Sequence, residues 1–184
     1  MSNAWSLPTK VKFGDVSYCF NADFRDILQI VEYLNDTTRP IYVRWLVALE
    51  LFYEEKIPKK YETEAIEYLA EFISYGEKNA KPSVKLIDWE QDAQIIVCDI
   101  NKVAGFEIRS VPFLHWWTFL SYFYGIGEGV LSSVVSIRNK RLKHKKLEKW
   151  EEEYYKANKD LIDFHSPESE ETKAEKEAIL KWLN

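Results

Sequence analysis

Apolar and polar positions alternate along Val11-Lys12-Phe13 and again along Val16-Ser17-Tyr18-Cys19-Phe20, on either side of Gly14-Asp15. Alternation is the mark of a half-buried strand. A two-residue link that opens on Gly fits a type II′ turn, which needs a positive φ at its first residue. The pattern predicts a β-hairpin with Val11, Phe13, Val16, Tyr18 and Phe20 on one face. Two strands alone are marginal in water, so that face needs a helical surface over it.

Beyond the hairpin the apolar spacing lengthens to three and four residues, and the rest of the chain reads as helix. Phe24, Ile27, Leu28, Val31 and Leu34 form one stripe, closed by Asn35-Asp36. Pro40 opens a second helix through Ile41, Trp45, Leu49 and Phe52, apolar nearly all round and therefore expected at the centre. Glu64–Tyr75 carries Ile66, Leu69, Phe72 and Ile73 and stops at Gly76, and a polar link over 77–83 follows. Asp88, with Gln91 three residues on, resembles a capping box for a helix bearing Trp89, Ala93, Ile96, Ile100 and Val103. Ser110 and Pro112 are placed to start the next helix, through Phe113 to Tyr124, closed by Gly125 and Gly127. Another runs from Val130 into a basic cluster. Leu147, Trp150, Tyr154, Ala157 and Leu161 then form a narrow stripe on a highly charged helix. His165-Ser166-Pro167 breaks it, and a last helix carries Ala174, Ala178, Ile179 and Trp182 on one side. The expectation is a mostly α protein: a helical bundle with a short N-terminal β-hairpin, a main domain over 10–162 and a C-terminal helical appendage over 166–184.

Composition sharpens this. Seven Trp, eleven Tyr and ten Phe supply large, rigid side chains, and Trp45, Trp89, Trp116 and Trp117 sit on the most apolar helices, where burial is expected. A net charge of −5 argues against a dedicated nucleic-acid binder. Cys19 and Cys98, far apart and outside any CxxC pair, read as reduced core thiols. No signal peptide is evident at the N-terminus, and no apolar run is long enough to span a bilayer.

Candidate chemistry is sparse. His115 lies among Leu114, Trp116 and Trp117 with no second His or Cys at ligand spacing, so a packed histidine is preferred over a metal or catalytic role. Glu90, Asp92 and Asp99 share a helix and offer carboxylates for acid–base work. Asp92 borders an apolar stripe, and a buried carboxylate needs a partner. Arg25, Arg44 and Arg138 are the candidates, with Arg138 first because it follows Val134, Val135 and Ile137. No phosphate loop, nucleophile elbow or dinucleotide fingerprint is present, and no cofactor is implied. Arg138, Lys140, Arg141, Lys143, Lys145, Lys146 and Lys149 crowd twelve positions, as a nucleic-acid patch would. Acids follow at once at Glu151, Glu152 and Glu153, which favours a solvated face or one matched to an acidic protein. The stripe Leu147, Trp150, Tyr154 and Leu161, with Ile179 and Trp182 further on, is the candidate binding surface, for a partner or for a second copy.

Several of these runs together resemble the bacteriophage gp-fifteen family. Asn21-Ala22-Asp23-Phe24-Arg25 is similar to the entry of that family's first helix. The likeness continues at Asp88-Trp89-Glu90-Gln91-Asp92-Ala93, at Leu114-His115-Trp116-Trp117-Thr118-Phe119, and from Ile137-Arg138 into the Lys/Glu-rich segment. The Trp pair is its most specific piece, and Ser166–Asn184 departs from the shorter members. The resemblance implies a tail-region protein of long-tailed phages and prophages, encoded near the tape-measure gene and acting in the cytoplasm of the bacterial host. It implies no enzymatic activity. The implied role is a tail assembly chaperone that binds the tape-measure protein and helps recruit tail-tube subunits. The alternatives are a structural component of the tail or a small nucleic-acid-binding regulator using residues 138–149. On the same ground Asp23, Arg25, Asp92, His115, Trp116, Trp117 and Arg138 are expected to be structural.

Overall fold

Strands β1 (Lys10–Phe13) and β2 (Val16–Cys19) pair antiparallel, with Val11 opposite Tyr18 and Phe13 opposite Val16. Gly14 turns the chain at φ +59°, and a Cβ there would collide with the Tyr61 hydroxyl. Phe13, Tyr18 and Phe20 face inward, whereas Val16 at the turn stays half exposed. The structure, a computed structural model, describes residues 5–77 and 85–165. The link over 78–83 and the appendage over 166–184, with Ile179 and Trp182, lie outside the described residues.

The helices are α1 (Phe24–Asn35), α2 (Ile41–Phe52), α3 (Glu62–Ile73), α4 (Ala93–Ala104), α5 (Trp116–Tyr124), α6 (Val130–Leu142), α7 (Lys149–Ala157) and α8 (Lys159–Ile162). The protein is mostly helical with the hairpin at its N-terminal end, as the apolar spacing predicts. The hairpin is stitched to the end of α2, where Asn21 N–H donates to the Phe52 carbonyl at 2.8 Å and Glu54 N–H to the Cys19 carbonyl at 3.2 Å. Its covered face meets stacked rings: Phe20 lies on Phe52 with centroids 4.6 Å apart and meets Phe72 edge-on at 5.0 Å. Phe24 of α1 stacks on Phe119 of α5 at 4.8 Å, joining the two halves of the main core. A smaller cluster, Val134, Ile137 and Ile162, sits between α6 and α8.

Three expectations need correction. Helix α2 is peripheral at its start: Ile41, Tyr42 and Val43 are exposed, and only Ala48, Leu49 and Phe52 are buried. A helix apolar all round need not be central when just its last turns meet neighbours. Helix α5 begins at Trp116, not near Pro112, because Ile108–Ser110 forms a separate 3₁₀ turn and the chain from Val111 to His115 is extended or crosses residues 22–24. The cysteines are unpaired but exposed. Strand alternation turns Cys19 away from Tyr18 and Phe20, and on α4 the inward positions are Ile96, Asp99 and Ile100. Of the four tryptophans expected inside, Trp116 is fully buried, while Trp45, Trp89 and Trp117 are partly covered.

One glycine closes a helix junction. Gly129 precedes α6 and offers no capping side chain. The cap comes from α4, where Asp99 Oδ2 accepts the Leu131 N–H at 3.0 Å. A Cβ on Gly129 would lie 2.6 Å from that oxygen.

Candidate protein-binding surface

The residues on which the sequence resemblance rests include two polar knots. In the first, Asp23 caps α1 by accepting the Arg25 N–H at 3.0 Å, and its other oxygen accepts the Leu114 N–H at 2.9 Å. Arg25 grips both Asp23 oxygens at 3.0 Å and donates to the Val111 carbonyl at 2.6 Å. His115 caps α5: its Nδ1 accepts the Trp117 N–H at 3.0 Å, so Nε2 carries the proton and donates to the Pro8 carbonyl at 2.9 Å. Burial lowers the His115 pKa, partly opposed by the Pro8 carbonyl, which favours the neutral ring this geometry needs. The tryptophan pair closes another helix. Trp116 Nε1–H donates to the Ile73 carbonyl at 3.1 Å and Trp117 Nε1–H to the Phe72 carbonyl at 2.9 Å. These are end-of-helix carbonyls of α3, beyond the regular i+4 ladder, although Phe72 also takes the Tyr75 N–H at 3.2 Å. The run His-Trp-Trp therefore caps α5 at its start and α3 at its end.

The second knot is centred on Arg138, which is 5% exposed, against Asp92, which is fully buried. The guanidinium meets both Asp92 oxygens, at 2.6 and 2.9 Å. It also donates to the carbonyls of Leu86 (3.0 Å), Leu161 (2.9 Å) and Ile162 (2.7 Å). All five guanidinium N–H groups thus have acceptors. Phe164 covers the guanidinium face at 4.2 Å. Gln91 does not reach back to Asp88, as a capping box requires. Its amide holds the segment after α8 instead, donating to the Asp163 carbonyl at 2.9 Å and accepting the His165 N–H at 3.0 Å. Asp88 alone receives the Glu90 and Gln91 N–H groups of the turn before α4.

Two of the three carboxylates on this stretch are committed, and Glu90 is exposed. Asp92 belongs to Arg138, and Asp99 to Lys102 at 2.7 Å and the Leu131 N–H. No group of His, Cys, Asp and Glu among the described residues is arranged to hold a metal ion.

The helical stripe is divided. Leu147, Tyr154 and Leu161 are half-buried against Val134, Ile137 and Ile162, so α7 and α8 fold back on α6. Glu151, which periodicity alone leaves on the polar side, is 1% exposed. It accepts Lys140 Nζ at 2.7 Å and the Glu148 N–H at 2.8 Å, and the Lys140 contact holds its pKa below the usual range. Trp150, one position before it, points outward and is 54% exposed. Ala157 is also exposed. Of the basic cluster, Arg138, Lys140 and Arg141 are committed to Asp92, Glu151 and Asp163. Lys143, Lys145, Lys146 and Lys149 are exposed without an ion-pair partner among the described residues. Within eight residues of Trp150 in sequence, then, are an exposed Leu142 and four lysines without an ion-pair partner among the described residues. The burial of Glu151 was not legible in the spacing, since its charge is met by Lys140, which lies on the preceding helix α6.

No helix of the described residues is long and apolar enough to cross a membrane. Fold and surface define a helical protein whose exposed chemistry is aromatic area bordered by charge. The family profile described as Bacteriophage Gp15 protein matches residues 5–163, and the chain belongs to that family. It is a family of phage structural and morphogenesis proteins and not a known enzyme family. Neither the curated proteins nor the solved structures provide a match.

Proposed function

We propose that the protein is a tail assembly chaperone, acting in the cytoplasm of the bacterial host, that binds a tape-measure or tail-tube subunit without covalent chemistry. The observation that supports this reading is Trp150, a large aromatic that stands 54% exposed on a helix anchored by Glu151 and follows closely in sequence on four exposed lysines without an ion-pair partner among the described residues. Aromatic anchors dominate protein interfaces, and surrounding charge selects and steers the partner. The matching surface is apolar at its centre and acidic at its rim. An amphipathic helix presents such a surface as anchors spaced along one face.

The test is co-expression with the neighbouring tape-measure product, followed by pull-down. Trp150→Ala should weaken binding by about 2 kcal/mol, roughly thirtyfold, because the ring is the buried centre of the contact. Helical content and thermal midpoint should stay unchanged, since the ring is mostly exposed and belongs to neither buried cluster. Unchanged binding, or an unfolded variant, refutes the assignment of this surface. Absence of the protein from purified particles separates a chaperone from a retained tail component.

A further inference from the structure

The outer face of α1 and the segment Lys85–Glu90 leave an open groove of about 680 Å³ between them. That lies within the roughly 300–1,000 Å³ of ordinary binding clefts. Its floor is apolar, made by the half-covered side chains of Leu28, Val31, Ile87 and Trp89. Its rim is acidic. Two rim carboxylates already hold cations, Asp36 with Arg39 and Asp88 with Lys85. Glu32 on α1 and Glu90 on the facing segment have no ion-pair partner among the described residues. Burial, and less so the nearby Asp23, raise the pKa of Asp26 at the same rim, opposed by Arg25.

An apolar floor with free carboxylates calls for an apolar anchor carrying cations. The same chain presents that chemistry elsewhere: Leu142 is 49% exposed and Trp150 is 54% exposed, with Lys143, Lys145, Lys146 and Lys149 between or beside them. The chain's own C-terminal stretch 166–184 is the wrong sign, with five Glu against three Lys. We propose that the groove between α1 and Lys85–Glu90 receives the Leu142–Trp150 segment of a second copy of this chain. Trp150 then lies on the apolar floor, and the lysines face Glu32 and Glu90. The same contact covers the surface assigned above to a phage partner, so self-association and partner binding compete for Trp150. The proposal stands on the charge match and holds whether or not that partner is the right one.

Sedimentation of the full chain at roughly 100 µM in low salt should show association, weakened when salt is raised to roughly 0.5 M. Glu32→Lys with Glu90→Lys should weaken it by about tenfold or more, and so should Lys145→Glu with Lys146→Glu, because each pairs like charges. All four positions are surface ones, and circular dichroism should be unchanged. Mixing the two double variants should restore association, since every contact between them is again of opposite sign. A monomeric wild type, or a mixture that stays monomeric, overturns the proposal. So does association indifferent to the groove variant. A monomer whose groove variant loses a co-expressed tail protein assigns the groove to that protein instead and overturns self-association. Unchanged partner binding on Trp150→Ala, beside groove-dependent association of the wild type, would overturn the partner assignment above and leave this inference standing alone.

Discussion

Replacing Arg138 by Met removes the centre of the second polar knot while keeping much of the side-chain volume. Asp92, fully buried, would lose both guanidinium contacts and keep the Asp88 N–H at 2.9 Å. Taking one partner from a buried ion pair costs about 3–5 kcal/mol, because the remaining charge is stranded. The carbonyls of Leu86, Leu161 and Ile162 lose charged donors too, and each is worth about 1–2 kcal/mol if it stays dry. They will not all stay dry. Phe164 is exposed and Leu161 is only half-buried, so the strap over 161–164 lifts and water reaches its carbonyls. The net loss is therefore expected at about 3–5 kcal/mol, a third or more of the stability of a typical domain. At about 2–4 °C per kcal/mol for a chain of this size, the thermal midpoint falls by about 6–20 °C. Urea unfolding followed by circular dichroism measures the loss, and hydrogen exchange should show protection vanishing first at residues 161–164. Adding Asp92→Leu to Arg138→Met removes the stranded charge and should recover about 2 kcal/mol or more. A loss under about 1 kcal/mol for Arg138→Met, or a double variant no better than the single one, would refute the reasoning.

Gly129→Ala places a methyl group against Asp99 and should cost about 1–3 kcal/mol by displacing the cap of α6, read as a lower urea midpoint; a neutral result means the junction relaxes freely. His115 has a folded-state pKa below its ordinary 6.5, so the folded state binds fewer protons than the unfolded one near that pH. Its contribution is complete above pH 6.5 and is lost as pH falls below it, and His115→Asn should abolish that part of the stability–pH curve while Asn still caps α5. Equal pH curves for the two proteins would show that His115 does not titrate on unfolding. Trp150→Ala should leave the thermal midpoint within about 1–2 °C while weakening partner capture, and a larger fall would make that ring part of the core.

The two periodicities carried most of the architecture. The hairpin follows from alternation about Gly14-Asp15, and the ends of α1, α3 and α4 lie where Asn35-Asp36, Gly76 and Gly105 interrupt the stripes. Arg138 was legible as the partner of Asp92 because a cation following Val134, Val135 and Ile137 lies on or beside a buried face. The start of α5 was not. Its cap is a histidine, whereas the usual capping residues are short oxygen-bearing ones, and Ser110-Val111-Pro112 mimics a helix start that the Asp23 contact to Leu114 overrides. The exposure of Ile41–Val43 was hidden for a different reason. Hydrophobicity reports which side chains prefer burial but not which neighbours reach them. On the binding side, the lysine cluster was visible, but its division into paired and free members depended on Glu151 and Asp163 arriving from other helices.

The indole contacts to α3 also set a clock. The Ile73 carbonyl waits for a partner 43 residues further along the chain, and the Phe72 carbonyl, which takes the Tyr75 N–H locally, for a second one 45 residues on. At about 5–20 residues per second, a ribosome takes roughly 2–9 s to supply them. During that interval the end of α3 is free to fray, and Phe72, which later sits in the ring stack with Phe20 and Phe52, lacks its cover from Trp117. A nascent chain stalled before Trp116 should therefore hold a hairpin and helices that cannot yet lock together, and the arrival of two adjacent tryptophans converts that loose assembly into the cooperative unit.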